Sequence, residues 1–235
     1  MIATGGKSLY GAAVGVLMLD AQFPRILGDM GNAMTWPFPV HFRVVRDASP
    51  DAIVRRGTDM LDAFIAAGRH LIRDGADGIT TTCGFLSLYQ TELADALGVP
   101  VATSSLMQVA GVNALLPRGK RAGILTISGS SLTAAHLAAA DVPENTPIGS
   151  TEGGTEFTRA ILGNEPRLDV NAARADNVNA ALALQSANPD LGAIVLECTN
   201  MLPYAADISA ATGLPVWSMY SFITWFQSGL APRKF

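Results

Sequence analysis

Two thiols are the residues of this chain best suited to chemistry. Cys83 and Cys198 are its only cysteines, and they occupy matching positions of a sequence that repeats at one fixed offset. The shift that carries Cys83 onto Cys198 also carries Ile79 onto Ile194, Tyr89 onto Tyr204, Gly98 onto Gly213 and Pro100 onto Pro215. A small buried hydrophobe is the usual fate of a free cysteine. Core packing, however, does not require the only two to sit at equivalent places. A thiol reacts as thiolate, and unpaired backbone N–H groups at a helix N-terminus favour that charge. Each cysteine follows an apolar run and precedes a helix-like segment, so both are expected at such termini with lowered pKa values. Two thiols on opposite walls of one cleft could remove a proton from one face of a substrate and deliver one to the other.

The residues beside the thiols supply hydrogen-bond donors. Gly84 and Thr199 follow directly, and their amides could hold a carboxylate without an arginine. Thr82, Thr199 and Asn200 add side-chain donors, although a threonine run such as residues 80–82 also reflects plain β-propensity. Ser128 lies in a hydroxyl-rich turn, residues 126–131, where an anion could rest or where a helix is merely capped. Asp20 closes the first apolar strand and reads either as a carboxylate that orients a thiol or ammonium, or as an ordinary strand-terminating residue.

Positioning these groups takes a strand, a turn bearing the thiol, a helix and a further strand, twice over. Strands are expected at residues 12–19, 78–82, 99–103, 122–127, 193–196 and 214–219, with shorter ones at residues 40–45 and near Ile148. Helices are expected from Ser49, as N-cap, to Asp74, then over residues 85–97, 131–140, 170–187 and 222–228. Residues 21–49, broken by Gly and Pro, read as a lid or as a packed surface loop. The expected fold class is α/β: two similar parallel-sheet α/β lobes related by pseudo-twofold symmetry, residues 1–116 and 117–235, with the active site in the cleft between them. The Pro- and Gly-containing segment 116–120 is the hinge, and the final helix is free to pack back on the first lobe.

Bulk properties narrow the partners. Of 235 residues, 49% are apolar, enough for a substantial core. A net charge of −4, with acidic and basic residues scattered, offers no stripe for nucleic acid and no polybasic membrane anchor. The apolar run 12–19 is too short to span a bilayer, which leads to the expectation of a cytoplasmic protein, with homo-oligomerisation left open. His41, His70 and His136 lack ligand spacing and there is no Cys-x-x-Cys, so a metal site is not expected. Neither a phosphate loop nor a Gly-x-Gly-x-x-Gly strand-turn-helix unit is present, which removes support for nucleotide cofactors.

Thr82-Cys83-Gly84 after one strand and Glu197-Cys198-Thr199-Asn200 after its counterpart resemble the two cysteine motifs of the aspartate/glutamate/hydantoin racemase superfamily. The resemblance covers the whole chain. It implies two α/β lobes, no cofactor, Cys83 and Cys198 as opposed base and acid at a carbon next to a carboxylate, and Thr199 as a carboxylate ligand. Gly84-Phe85 and Asn200 depart from the family's usual residues beside the cysteines, which weakens aspartate or glutamate as the substrate. The expected function is therefore racemisation or epimerisation of an amino acid or related carboxylate or hydantoin. The rivals are a cis–trans isomerase of an unsaturated diacid with a nucleophilic cysteine, and a non-catalytic module that binds a small anion.

Overall fold

The computed structural model describes residues 2–234. Its first half runs β1 (Val14–Leu19), β2 (Val40–Val45), α1 (Leu61–Asp74), β3 (Gly78–Thr81), α2 (Gln90–Leu97), β4 (Val101–Ala102) and α3 (Val109–Leu115). The second half runs β5 (Arg121–Thr126), α4 (Ala134–Ala139), β6 (Ile148–Ser150), α5 (Phe157–Leu162), α6 (Val170–Ala187), β7 (Leu191–Leu196), α7 (Ala205–Thr212), β8 (Val216–Trp217) and α8 (Met219–Leu230). Two four-stranded sheets form, ordered β2-β1-β3-β4 and β6-β5-β7-β8, with every pair parallel. The two orders are the same order, and the sequence offset maps β3 onto β7. A parallel sheet is covered on both faces, and β1, β3, β5 and β7 are accordingly buried almost throughout.

The repeat extends to the backbone. Each cysteine is followed by a 3-10 turn, Gly84–Tyr89 or Thr199–Tyr204, and then by an eight-residue helix, α2 or α7. Both helices end in a left-handed glycine, Gly98 at φ +66° and Gly213 at φ +68°, a conformation that costs other residues a steric clash at Cβ. Side chains from both sheets share one core, to which Leu17, Phe64, Ile79 and Leu86 contribute from the first half and Ile124, Val195, Tyr204 and Phe157 from the second. Helix α8 lies against the first sheet, burying Met219, Phe222 and Ile223 with Val14, Val16 and Trp36.

One expectation needs correction. The helix expected from Ser49 to Asp74 is broken: Asp51–Arg55 forms a single π turn, Gly57 takes φ +57°, and the α-helix starts only at Leu61. Hydrophobic spacing continued through a position whose backbone leaves the helical region, so periodicity alone joined two elements. Residues 21–49, read as either a lid or a packed loop, pack on the rest of the molecule. Phe23, Met30 and Trp36 are buried, and Trp36 Nε1 donates to the Met30 carbonyl at 3.1 Å. The expected strand at residues 40–45 is β2, paired along its whole length with β1.

Candidate active site

Cys83 and Cys198 lie two residues beyond the ends of β3 and β7 and are the N-cap residues of the two 3-10 turns. Both are buried, and both line one small pocket between the sheets. Thr82, Gly84, Thr199 and Asn200 line it as well. Much of the remaining wall is apolar, from Phe23, Val54, Phe85, Ile127, Ile161 and Leu162, and no basic side chain lines it. Pro50 and Val54, beside and within the π turn, close one side, and α5 supplies Ile161 and Leu162.

The local hydrogen bonds explain how the turns are held. Thr81 Oγ1 lies 2.8 Å from the Thr103 carbonyl and 3.0 Å from that of Cys83, and accepts from the Cys83 amide at 3.3 Å. Thr82 Oγ1 accepts from the Leu19 amide at 3.0 Å, joining the ends of β1 and β3. The Thr199 hydroxyl donates to the Thr82 carbonyl at 2.8 Å and so ties the two cysteine turns to each other. That bond occupies the donor expected to meet a substrate carboxylate, leaving the Thr199 amide for that role. Asn200 receives the Cys198 thiol on Oδ1 at 3.6 Å and donates from Nδ2 to Asp29 at 2.6 Å. Asp29, buried, in turn accepts from Arg25 at 2.9 Å.

The expected lowering of the thiol pKa values is reversed. Burial pushes Cys83 up to about 12, aided by the charge of Glu197, against the Phe85 and Leu86 amides and the charge of Arg25. Burial likewise raises Cys198 well above its usual value, with further contributions from Glu197, Cys83 and Asp29 against the Asn200 amide. Desolvation of a sulfur anion outweighs the few N–H groups of a short turn. Shifts in this direction favour the neutral thiol for both cysteines near neutral pH.

Two candidate residues lie elsewhere. Asp20 does not line the pocket; its carboxylate accepts from the Asp47 amide at 3.3 Å and sits 3.7 Å from Arg46, because β1 and β2 are neighbours and their ends meet there. Ser128 is buried 2.7 Å from Glu152 Oε1 and 2.9 Å from Ser131 Oγ, organising its own turn outside the pocket wall. The sequence reading missed Asp29, hidden in the irregular loop, and Glu197, which lines the pocket beside both thiols. A charged residue closing an otherwise apolar strand was the signal for Glu197. Among the described residues no group of three or more His, Cys, Asp or Glu side chains is arranged to hold a metal ion. Nor is any helix among them long and apolar enough to cross a membrane.

No family model matches the chain. It is 27% identical to dimethylsulfoniopropionate lyase of Durusdinium sp. clade D, over 93% of this chain and 75% of that one. It is 30% identical to dimethylsulfoniopropionate lyase 6 of Emiliania huxleyi (strain CCMP1516), again over 93% of this chain but only 59% of the longer relative. Among solved structures, unliganded arylmalonate decarboxylase superposes with a TM-score of 0.61 at 20% identity, covering 95% of this chain and 94% of that one. Picrophilus torridus aspartate racemase superposes at 0.56 with 12% identity over 95% and 96% of the two chains. At such identities these structures speak to the fold, which is the one seen in aspartate and glutamate racemases.

Proposed function

We propose, starting from a chain that has the aspartate/glutamate racemase fold, that it is a lyase acting on a β-sulfonium propionate such as dimethylsulfoniopropionate. The observation that carries this reading is the make-up of the pocket. Two thiols face a small, largely apolar space with no basic side chain on its wall, beside turns rich in backbone amides. Such a space suits a compact substrate with a single carboxylate and gives no counter-charge to a second one. The similarity to dimethylsulfoniopropionate lyases supplies the leaving group.

In the proposed reaction one thiolate takes the proton from the carbon next to the carboxylate. The electron pair of that C–H bond becomes the Cα=Cβ double bond, the Cβ–S bond breaks, and acrylate and a neutral thioether leave. Amides of Gly84 and Thr199 stabilise the charge that grows on the carboxylate as the proton departs. Closure of the apolar wall excludes water and strengthens those contacts. A sulfonium is a good leaving group, so the carbanion need not persist.

Racemisation remains the second reading, favoured by the presence of a thiol from each half of the molecule on one pocket. Incubation in D2O with dimethylsulfoniopropionate and, separately, with a panel of enantiopure amino acids and hydantoins distinguishes the two. The expected NMR result is vinyl signals of acrylate together with dimethyl sulfide. Deuterium entering the α-position of an amino acid, with no acrylate from the sulfonium, would replace the lyase by a racemase.

A further inference from the structure

Glu197 is a carboxylic acid in an unusual place. It follows the last residue of β7, is fully buried, and lines the pocket with both thiols. Its Oε2 accepts from the Thr126 hydroxyl at 2.7 Å, whereas Oε1, equally buried, has no partner. Oε1 lies against the backbone of Gly84 from the other half of the molecule, and a Cβ there would collide with it. A glycine directly after Cys83 is thus what allows this carboxyl to reach the first thiol's turn. A buried carboxylate oxygen left without a partner lowers the stability of the fold.

We propose that Glu197 is the proton partner of the two thiols: the pocket holds a single negative charge, on the carboxylate at rest and on a sulfur during turnover, and Oε1 receives the proton that the thiol gives up. This rests on the reading that a thiol in this pocket is the base. In the first step an S–H bond breaks and an O–H bond forms on Glu197, directly or through one water, leaving a thiolate beside a neutral acid. After the thiolate has taken the substrate's α-proton, the sulfur is again a thiol, and the proton on Glu197 passes to solvent as the products leave. One proton is released per acrylate formed, as the elimination requires.

The electrostatics agree. Burial lifts the Glu197 carboxyl to about 7, opposed by the Thr126 hydroxyl, so it can hold or release a proton near neutrality. The ionisable groups around this centre are Cys83 and Cys198, with Arg25 favouring a thiolate at Cys83 and Asp29 opposing one at Cys198. The Glu197 charge opposes ionisation of both thiols, so carboxylate and thiolate exclude each other.

The test is Glu197→Gln, which keeps shape and the Thr126 contact but removes charge and basicity. Iodoacetamide alkylation of the thiols, followed by mass spectrometry against pH, needs no substrate. Relief of the repulsion should raise alkylation at pH 8 by about tenfold, the effect of one unit in thiol pKa. Turnover of dimethylsulfoniopropionate should fall by about a hundredfold in kcat with KM little changed, because the thiol proton has lost its acceptor. More reactive thiols in a slower enzyme is a combination that a merely structural carboxyl does not produce. Thr126→Val, which removes the one donor holding the carboxylate form, serves if the glutamine variant does not fold, and should shift alkylation the same way. Alkylation that follows the wild-type pH profile in the folded variant overturns the proposal, as does wild-type turnover in Glu197→Gln. If wild-type protein turns over no sulfonium while Glu197→Gln still alkylates faster, the lyase reading fails and the coupling of carboxyl to thiols stands.

Discussion

At the scale of single residues, the site is a balance between desolvation and a few fixed dipoles. The two cysteines have equivalent positions but unequal surroundings: Glu197 opposes a thiolate at both, two amides and Arg25 favour one at Cys83, and Cys198 has one amide and the further opposing charge of Asp29. Serine is nearly isosteric with cysteine but far less acidic, so Cys83→Ser and Cys198→Ser separate the two proposed reactions. For elimination, which needs one base, one variant should lose more than about a thousandfold in kcat while the other retains measurable acrylate formation. For racemisation both should lose turnover of both enantiomers. Glu197 also predicts a pH dependence of stability. Its folded pKa of about 7 exceeds the ordinary 4.5, so the folded state binds that proton more tightly than the unfolded chain. Its contribution is intact below pH 4.5 and is lost as pH rises through 7. Glu197→Gln should therefore match wild type at pH 4 and melt several degrees higher at pH 8, on a scale of roughly 2–4 °C per kcal/mol. Equal melting temperatures of variant and wild type at both pH values would show that the carboxyl ionises alike in the folded and unfolded states, so that burial does not raise its pKa.

At the scale of elements, the wall opposite the cysteine turns depends on how short helices are held. Helix α5, which carries Ile161 and Leu162 to the pocket, has only six residues and could not persist alone. Its N-terminus is fastened by Asp176 of α6, whose carboxylate accepts from the amides of Thr155, Glu156 and Phe157 at 3.1, 2.7 and 2.8 Å. Burial alone would raise the Asp176 pKa, but these three amides hold it below its ordinary value, so the clamp works above the carboxylate range and fails as pH falls through it. Asp176→Ala should cost about 1.5–3 kcal/mol, measured by urea unfolding at pH 7, and should lower activity by loosening α5. A variant with unchanged midpoint and activity would mean that α5 is held by its apolar contacts alone. The same scale explains the broken helix at residues 49–74. The periodicity was legible, but the π turn that brings Val54 to the pocket depends on packing that periodicity does not encode.

At the scale of the whole molecule, one hydrogen bond reports how the halves are joined at the site. Thr199→Val removes the donor to the Thr82 carbonyl and leaves that buried oxygen unpaired, a loss of about 1–3 kcal/mol that should appear as a lower urea midpoint with unchanged slope. If the midpoint does not move, this contact does not help to hold the halves together. The amino-acid sequence by itself determined the α/β class, the internal repeat, the strand ends that carry Cys83 and Cys198, and the presence of a helix after each. Each of these is local, written in apolar runs, turn residues and one recurring offset. Tertiary structure alone decided which neighbours share the pocket. It brought Glu197 in, set Asp29 behind Asn200, left Asp20 paired with the β2 end and Ser128 with Glu152, and reversed the direction of the thiol pKa shifts. The physical reason is that desolvation and hydrogen-bond partnership depend on what the other sheet and the loops place around a group, and spacing along the chain carries no measure of either.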